Sequence, residues 1–534
     1  MPRNGLRALR ARVEAASPAL VAAALAAAVA LAKLPLVFRG LGEQDQARLL
    51  LDAIVYAHEG PATLRTYGVL TSPLWTLTFA AIVRAFGPDG LVPLANLGGW
   101  LCGSFTTATS FLLLESFGAS RAWAAAGAVA TALVPGVFYL SLYGYPTQYA
   151  LPLLLLSALL LRRALGRTTE PARTLGFAAA GLAYCAFVLT KIDFGIAGTF
   201  LLSIAWLARG LRRPVVLWLS GFALAALALV LLAASATVET EGLRAFLGRN
   251  RADFPWEARN LTDASGVNVL YACGFGTLAL FALAATAGLA RRERRTGVAR
   301  LAVAWALAVA PLWLFWLARP PMTGRHAAAG VLLTALFASA TAARVWPRAG
   351  ARAWLWPLLV VAANWPFGEP SFDFNYRTSG DLARTLQRNR RAFAVAEEIA
   401  RSVVARREAM KIVLGGPRPE VFGNIDFYPV IALALAERSH AATGIGDFGW
   451  ALRVRAADGF ETKLFHVSFG ALRRELPEAG LYAPWGANVE ALARRGIEVE
   501  AWSPLDMFEA LDGRSPPGTE PFRDPAARPT RPSR

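Results

Sequence analysis

The feature that most limits how this chain folds is a series of apolar runs, recurring from near the N-terminus to residue 366. They fall near 17–38, 91–115, 121–141, 146–161, 174–190, 194–208, 214–236, 268–290, 300–317, 327–343 and 353–366. Runs of this kind suit helices that cross roughly 30 Å of hydrocarbon. Hydrocarbon offers no partner to a backbone N–H or C=O, so a spanning segment is a helix or part of a closed barrel. The alternation a barrel strand needs is absent. The expectation is an all-α polytopic membrane domain of about 11 transmembrane helices. A content of 55% hydrophobic and 17% charged residues agrees, since soluble chains of this size carry more charge. The first run follows Arg3, Arg7, Arg10 and Arg12, as a signal peptide would, but its core is too long, and Lys33, Pro35 and Arg39 come after it. It reads as a retained first helix.

Arginine sets the orientation, because short cytoplasmic loops carry the excess of basic residues. Arg3 to Arg12, Arg162 to Arg173, Arg209 to Arg213, Arg291 to Arg300 and Arg344 to Arg352 mark one face of the bundle. With that face in the cytoplasm, the N-terminus is cytoplasmic. Segments 39–90, 142–145, 191–193, 237–267 and 318–326, and everything after 366, then lie outside an inner or plasma membrane. The net charge of +18 sits largely in these loops, where topology and anionic lipid explain it, so no nucleic-acid partner is expected. Cys102, Cys185 and Cys273 all fall within or beside apolar runs, which argues against a disulfide framework and a cysteine metal cluster.

The first outward segment is the most informative. In GLGEQDQARLLLDAIVYAHEG, residues 40–60, Ala47, Leu50, Leu51, Ile54 and Val55 share one helical face, and Gln46, Arg48, Asp52 and Glu59 the other. Such a helix lies along the membrane surface. TSPLWTLTFAAIVRAFG, residues 71–87, contains Pro73 and Arg84 and reads as a second half-immersed helix. Counting it as a span would move the basic loop at 162–173 outside. In this order and spacing, residues 17–366 resemble the GT-C glycosyltransferases, which include protein O-mannosyltransferases and bacterial aminoarabinose transferases. The resemblance rests on the acidic motif after the first helix, the interfacial helix ending in Glu59–Gly60, and a second beginning Ser72-Pro73-Leu74-Trp75 and ending in Phe86–Gly87. Leu189-Thr190-Lys191-Ile192-Asp193 and Gly324-Arg325-His326 add to it.

The resemblance implies transfer of a sugar from a polyprenyl-phosphate donor to a hydroxyl-bearing glycan, lipid or protein acceptor at the outer face. Asp45 stands where the family places its essential acid, and an attacking hydroxyl needs a base. Glu43 is the second carboxylate of the motif. The family's common pattern has Glu directly after Asp, whereas here Gln46 follows Asp45, so the sequence leaves a divalent metal unassigned. For the donor phosphate the candidates are Arg325, whose guanidinium can pair with two phosphate oxygens, then Lys191 and His326. Each residue also has a plainer reading. Asp45 suits the N-cap of its helix, Glu43 a solvated loop, Lys191 and Asp193 a snorkelling ion pair, and Arg319 and Arg325 anchors at the headgroups. Residues 237–267, with Arg244, Arg249, Arg251, Asp253, Trp256, Glu257 and Arg259, read equally as a loop over the site or a solvated one.

After Trp365–Pro366 charge rises and the long apolar runs stop, so 367–514 is expected to form a small mixed α/β extracytoplasmic domain. Its helices are expected at 381–410 and 487–496 and its strands at 411–414 and 497–502. The Pro- and Arg-rich tail, 515–534, is expected to be disordered. Three rival functions stand beside glycosyl transfer: a transporter or flippase, a glycan ligase or polymerase, and an assembly scaffold. A transporter would show internal repeats and broken helices, and a ligase would lack the Asp motif after the first helix. Convergence of Asp45, Lys191 and Arg325 at the outer face separates transfer from the rest.

Overall fold

A computed structural model describes residues 16–37, 40–42, 44–60, 71–209, 275–317, 324–364, 390, 393–394, 396–407, 410–414, 427–444 and 451–467. The helices of the membrane part are α1 (Pro18–Lys33), α2 (Gln44–Glu59), α3 (Pro73–Phe86), α4 (Leu91–Ser116), α5 (Arg121–Leu133), α6 (Pro135–Leu140) and α7 (Pro146–Gly166). They continue with α8 (Glu170–Thr190), α9 (Thr199–Arg209), α10 (Phe275–Leu289), α11 (Arg295–Leu317), α12 (Gly324–Val345) and α13 (Leu355–Asn364). Among the described residues, six helical segments are long and apolar enough to cross a membrane: Pro18–Leu36, Leu91–Ser116, Pro146–Gly166, Glu170–Thr190, Arg295–Leu312 and Ala328–Val345. The chain is a membrane protein by that measure. The expected run at 214–236 lies outside the described residues.

Several expected runs are shorter or interrupted, each for a local reason. The run at 121–141 is two helices, because Pro135 pushes Val134 into an extended conformation (φ −60°, ψ 132°) and removes a helix donor. Lys33 closes this break. Its ammonium, 3% exposed, donates to Ser141 Oγ at 2.8 Å and to Ala132 O at 3.3 Å, a carbonyl in the last turn of α5. That is the negative end of a helix dipole, where a cation is favoured. The run at 194–208 opens with a 3-10 turn over Ile192–Gly198 before α9, and the run at 353–366 gives only the ten-residue α13 after another short 3-10 turn. α3 has 14 residues, or about 21 Å of helix, too short to span.

Several polar residues inside the apolar helices bond to backbone of their own helix. Along α4, Ser104, Thr106, Thr107 and Thr109 return their hydroxyls to the carbonyls four residues back. The arginines of the short loops cap helix ends. Arg162 donates to Ser116 O at 3.3 Å, Arg291 to Val345 O at 3.2 Å, and Arg300 to Trp206 O and Leu207 O, both at 3.2 Å. The basic face anticipated from the sequence is therefore built, in these cases, of side chains held on the last carbonyls of α4, α12 and α9.

Beyond the membrane part, β1 (Met410–Leu414), β2 (Ala441–Gly444), β3 (Ala451–Arg455) and β4 (Glu461–Val467) form one sheet in the order β1-β4-β3-β2. β1 runs parallel to β4, and β3 runs antiparallel to both of its neighbours, β4 and β2. Leu452, Val454, Thr462 and Leu464 alternate inward and are buried, the period-2 pattern of a sheet with one covered face. The covering element is α14 (Phe427–Ala436), in which every residue from Val430 to Ala436 is at most 2% exposed. The sequence reading gave β1 correctly but missed α14 and the β2–β4 meander. Of the helix it placed at 381–410, the described residues 390, 393–394 and 396–405 are helical, with Phe393, Ala396, Ala400 and Val403 buried. The expected helix at 487–496, the strand at 497–502 and the tail 515–534 lie outside the described residues.

This C-terminal lobe packs on the membrane part. α14 and β2 lie against α2, and a single apolar cluster runs through α2, α3, residues 139–145, α14 and the sheet. Leu49 and Ala53, as well as Leu50 and Ile54, are fully buried, and so are Gln46 and Asp52 on the face expected to meet water. α2 is enclosed on both sides because the lobe supplies a second apolar surface. Burial of Val430, Ile431, Leu433 and Leu435 is worth on the order of 8 kcal/mol before the cost of ordering the chain.

Candidate functional site

The segment leading into α2 is pinned by a buried amide network. Gln46 Oε1 accepts from Gly42 N at 2.9 Å, and Gln46 Nε2 donates to Asn96 Oδ1 at 2.8 Å. Asn96 Oδ1 also accepts from Gly144 N at 2.9 Å, and Asn96 Nδ2 donates to Gly40 O at 2.7 Å. Two backbone donors and one backbone acceptor thereby fix which way both amides face. The side chains are 0% exposed. Here lies the physical meaning of the departure from the Asp-Glu pattern. Position 46 uses both a donor and an acceptor, and an ionised Glu could not donate to Asn96 Oδ1.

Glycines allow the three strands of this knot to touch. A Cβ on Gly42 would come within 2.6 Å of Tyr143 Cγ, on Gly99 within 2.1 Å of Tyr143 O, and on Gly144 within 2.3 Å of the Ala95 carbonyl carbon. The Tyr139 hydroxyl donates to Gly42 O at 3.3 Å, and its ring lies 5.0 Å from that of Tyr143. Loop 40–42, the first turns of α4 and the turn at 141–145 thus form one base under the start of α2. The other end of α2 is held by Arg84 of α3, which donates to Ala57 O at 3.0 Å and Tyr56 O at 3.1 Å with its guanidinium 5.4 Å from the Tyr56 ring.

The nominated residues map onto this base as follows. Asp45 lies in the first turn of α2, one residue before Gln46, and Arg48 follows one turn later, half buried. The side chain of Asp45 and the whole of Glu43 lie outside the described residues. Lys191 ends α8, is 1% exposed, and places its ammonium 5.9 Å from the centre of the Tyr145 ring. It therefore adjoins the same 141–145 turn whose Gly144 is bonded to Asn96. Arg325 and His326 stand in the first turn of α12, and their side chains, like that of Asp193, lie outside the described residues. Ala328, three residues after Arg325, belongs to the apolar cluster that encloses α2. Lys191 thus stands beside the 141–145 turn that bonds the segment leading into α2, and α12 enters the apolar cluster of α2 at Ala328. Loop 237–267 lies outside the described residues.

Asn96, Gln46, Tyr143 and Tyr145 were not singled out as site residues from sequence. Asn96 carried the clearest signal, an amide in the first half of an apolar run, since a polar side chain at that depth needs a partner. Among the described residues no group of three or more His, Cys, Asp or Glu side chains stands close enough to hold a metal ion.

No protein-family model matches the chain, and no curated protein matches it. Among solved structures it is similar to ArnT from Cupriavidus metallidurans bound to undecaprenyl phosphate, at 16% identity over 78% of this chain and 74% of that one, with a TM-score of 0.47. ArnT in the apo state matches over the same shares with a TM-score of 0.44. The oligosaccharyltransferase of Archaeoglobus fulgidus, in complex with zinc and sulfate, matches at 12% identity over 79% of this chain and 61% of that one, with a TM-score of 0.45.

Proposed function

We propose that the chain is a membrane glycosyltransferase that moves a sugar from a polyprenyl-phosphate donor to a hydroxyl-bearing acceptor at the outer face of the membrane. The observation that carries this reading is the buried network tying the start of α2 to α4 and to residues 141–145, beside which Lys191 stands. The resemblance of the α2 start, the Lys191 turn and the first turn of α12 to GT-C motifs supports it.

In the proposed reaction the acceptor oxygen attacks the anomeric carbon, and Asp45 takes the hydroxyl proton. The bond from the anomeric carbon to the phosphate oxygen breaks, and its electron pair leaves with the polyprenyl phosphate. Lys191 and Arg325 balance the charge that grows on that phosphate, Arg325 through paired N–H donors and Lys191 as a point charge. His326 donates a hydrogen bond beside them, and Glu43 flanks the base. The Gln46–Asn96 network fixes the backbone at the start of α2, which is what preorganisation of a base requires. The N-terminus lies in the cytoplasm, and the lobe after residue 366 faces out.

The test is incubation of purified protein with a panel of radiolabelled polyprenyl-phosphate sugars. Release of free polyprenyl phosphate from one of them, dependent on an acceptor, is expected. Movement of an intact lipid-linked sugar across a vesicle membrane without release would favour the transporter reading instead.

A further inference from the structure

We propose that Glu437 is a positioning residue: it ties the C-terminal lobe to the first turn of α4 and so holds α14 against the outer side of α2, the helix that begins with the proposed base. The activity half of this inference rests on the reading above; the structural half does not. α4 is a 26-residue helix whose N-cap position is Gly90, which has no side chain to cap it. Its early N–H groups need outside partners. Glu437 supplies one, with Oε1 accepting from Val92 N at 3.2 Å across 345 residues of sequence. Glu437 is 7% exposed and follows directly after α14, whose apolar residues fill the space over Leu49 and Ala53 of α2. α4 also carries Asn96, one turn beyond Val92. The bond from Glu437 and the amide network at Gln46 therefore act on the same two turns of α4.

The geometry gives the tie a pH dependence. Burial is the largest influence on Glu437 and pushes its carboxyl up to about 7, helped by Glu397 and Asp89 and opposed by the Val92 N–H and Arg438. Arg438 is itself paired with Glu397 at 3.3 Å. A raised carboxyl favours the docked state most fully below its ordinary value near 4.5, and that advantage is lost as pH rises through about 7. At the C-terminal end of α2, His58 is shifted the other way, by burial and then by His440 of the lobe, so that protonation there opposes docking at lower pH. Removing the ionisable carboxyl at 437 therefore separates its effect from that of the histidine pair.

The experiment is hydrogen–deuterium exchange on the full chain in nanodiscs between pH 5 and 8, corrected for intrinsic rates, reading peptides that cover 47–57 and 91–96. In the wild type, protection of both is expected to fall at least about tenfold from pH 5 to pH 8, a shift of one pKa unit being worth tenfold. Glu437→Gln keeps an acceptor for Val92 N and should abolish that fall, leaving only the rise in protection with pH that His58 contributes. Glu437→Ala should lose it at every pH, and in the transfer assay should lower kcat several-fold with donor KM unchanged. Wild-type protection in Glu437→Ala, or an unaltered pH profile in Glu437→Gln, overturns the proposal. If no donor is turned over by the wild type, the functional reading fails while the exchange result still decides the tie.

Discussion

Asn96→Ala is the substitution that most directly probes the buried base of the site. The change removes the acceptor for Gly144 N and Gln46 Nε2 and the donor for Gly40 O. An unsatisfied buried polar group costs about 1–3 kcal/mol. Gln46 can swing its amide toward another partner, but the backbone groups of Gly40 and Gly144 cannot move without displacing the tight glycine contacts around Tyr143. Two stranded backbone groups and a small cavity put the expected loss at about 3–5 kcal/mol. Asn96→Asp keeps an acceptor for both N–H groups but gives up the bond to Gly40 and buries a charge, so it should recover only part. The assay is unfolding by SDS titration in mixed micelles, followed by tryptophan fluorescence, with transfer activity measured alongside. A loss below about 1 kcal/mol with full activity in Asn96→Ala would refute the claim that this network holds the start of α2.

How much of this was legible in the sequence follows from what each residue could reveal on its own. The apolar runs and the clustering of arginine are one-dimensional signals, and the long helices appear where those signals are strong. The run at 121–141 was read as one span across Pro135, and the break there, closed by Lys33 from a helix more than 90 residues away, depends on packing that no local pattern contains. The polar face of α2 was read as wetted because Gln46, Arg48, Asp52 and Glu59 sit on it. It is enclosed because α14, a short apolar helix with no length to mark it as a span, lies over it. The acidic motif was found by its place after the first helix. Gln46 was recorded only as a departure, because its two hydrogen-bond roles involve Asn96 and Gly42, partners that sequence spacing does not reveal.

Further expectations concern single side chains and topology. Gly99→Ala would drive a methyl to 2.1 Å from Tyr143 O and should cost several kcal/mol in the same titration, whereas Gly136→Ala, with nothing within 4 Å, should be neutral or stabilising by about 0.5–1 kcal/mol. Lys33→Met should lower stability by roughly 1–3 kcal/mol, because Ala132 O loses its donor at the broken end of α5; a stabilised variant would mean the cation is not needed there. Alkaline phosphatase fused after residue 370 should be active in a bacterial host, and an inactive fusion beside a fluorescent cytoplasmic reporter would reverse the orientation.

The measurement closest to the central claim is the rate of polyprenyl-phosphate release by Asp45→Asn, with folding checked in the same preparation. Asn keeps the size and capping ability of Asp but cannot accept the acceptor's proton at neutral pH. The account predicts a fall of roughly 10²- to 10⁴-fold with unchanged stability and retained donor binding. A rate within a few-fold of wild type would contradict it, leaving Asp45 as a first-turn residue of α2 and the chemistry to another residue.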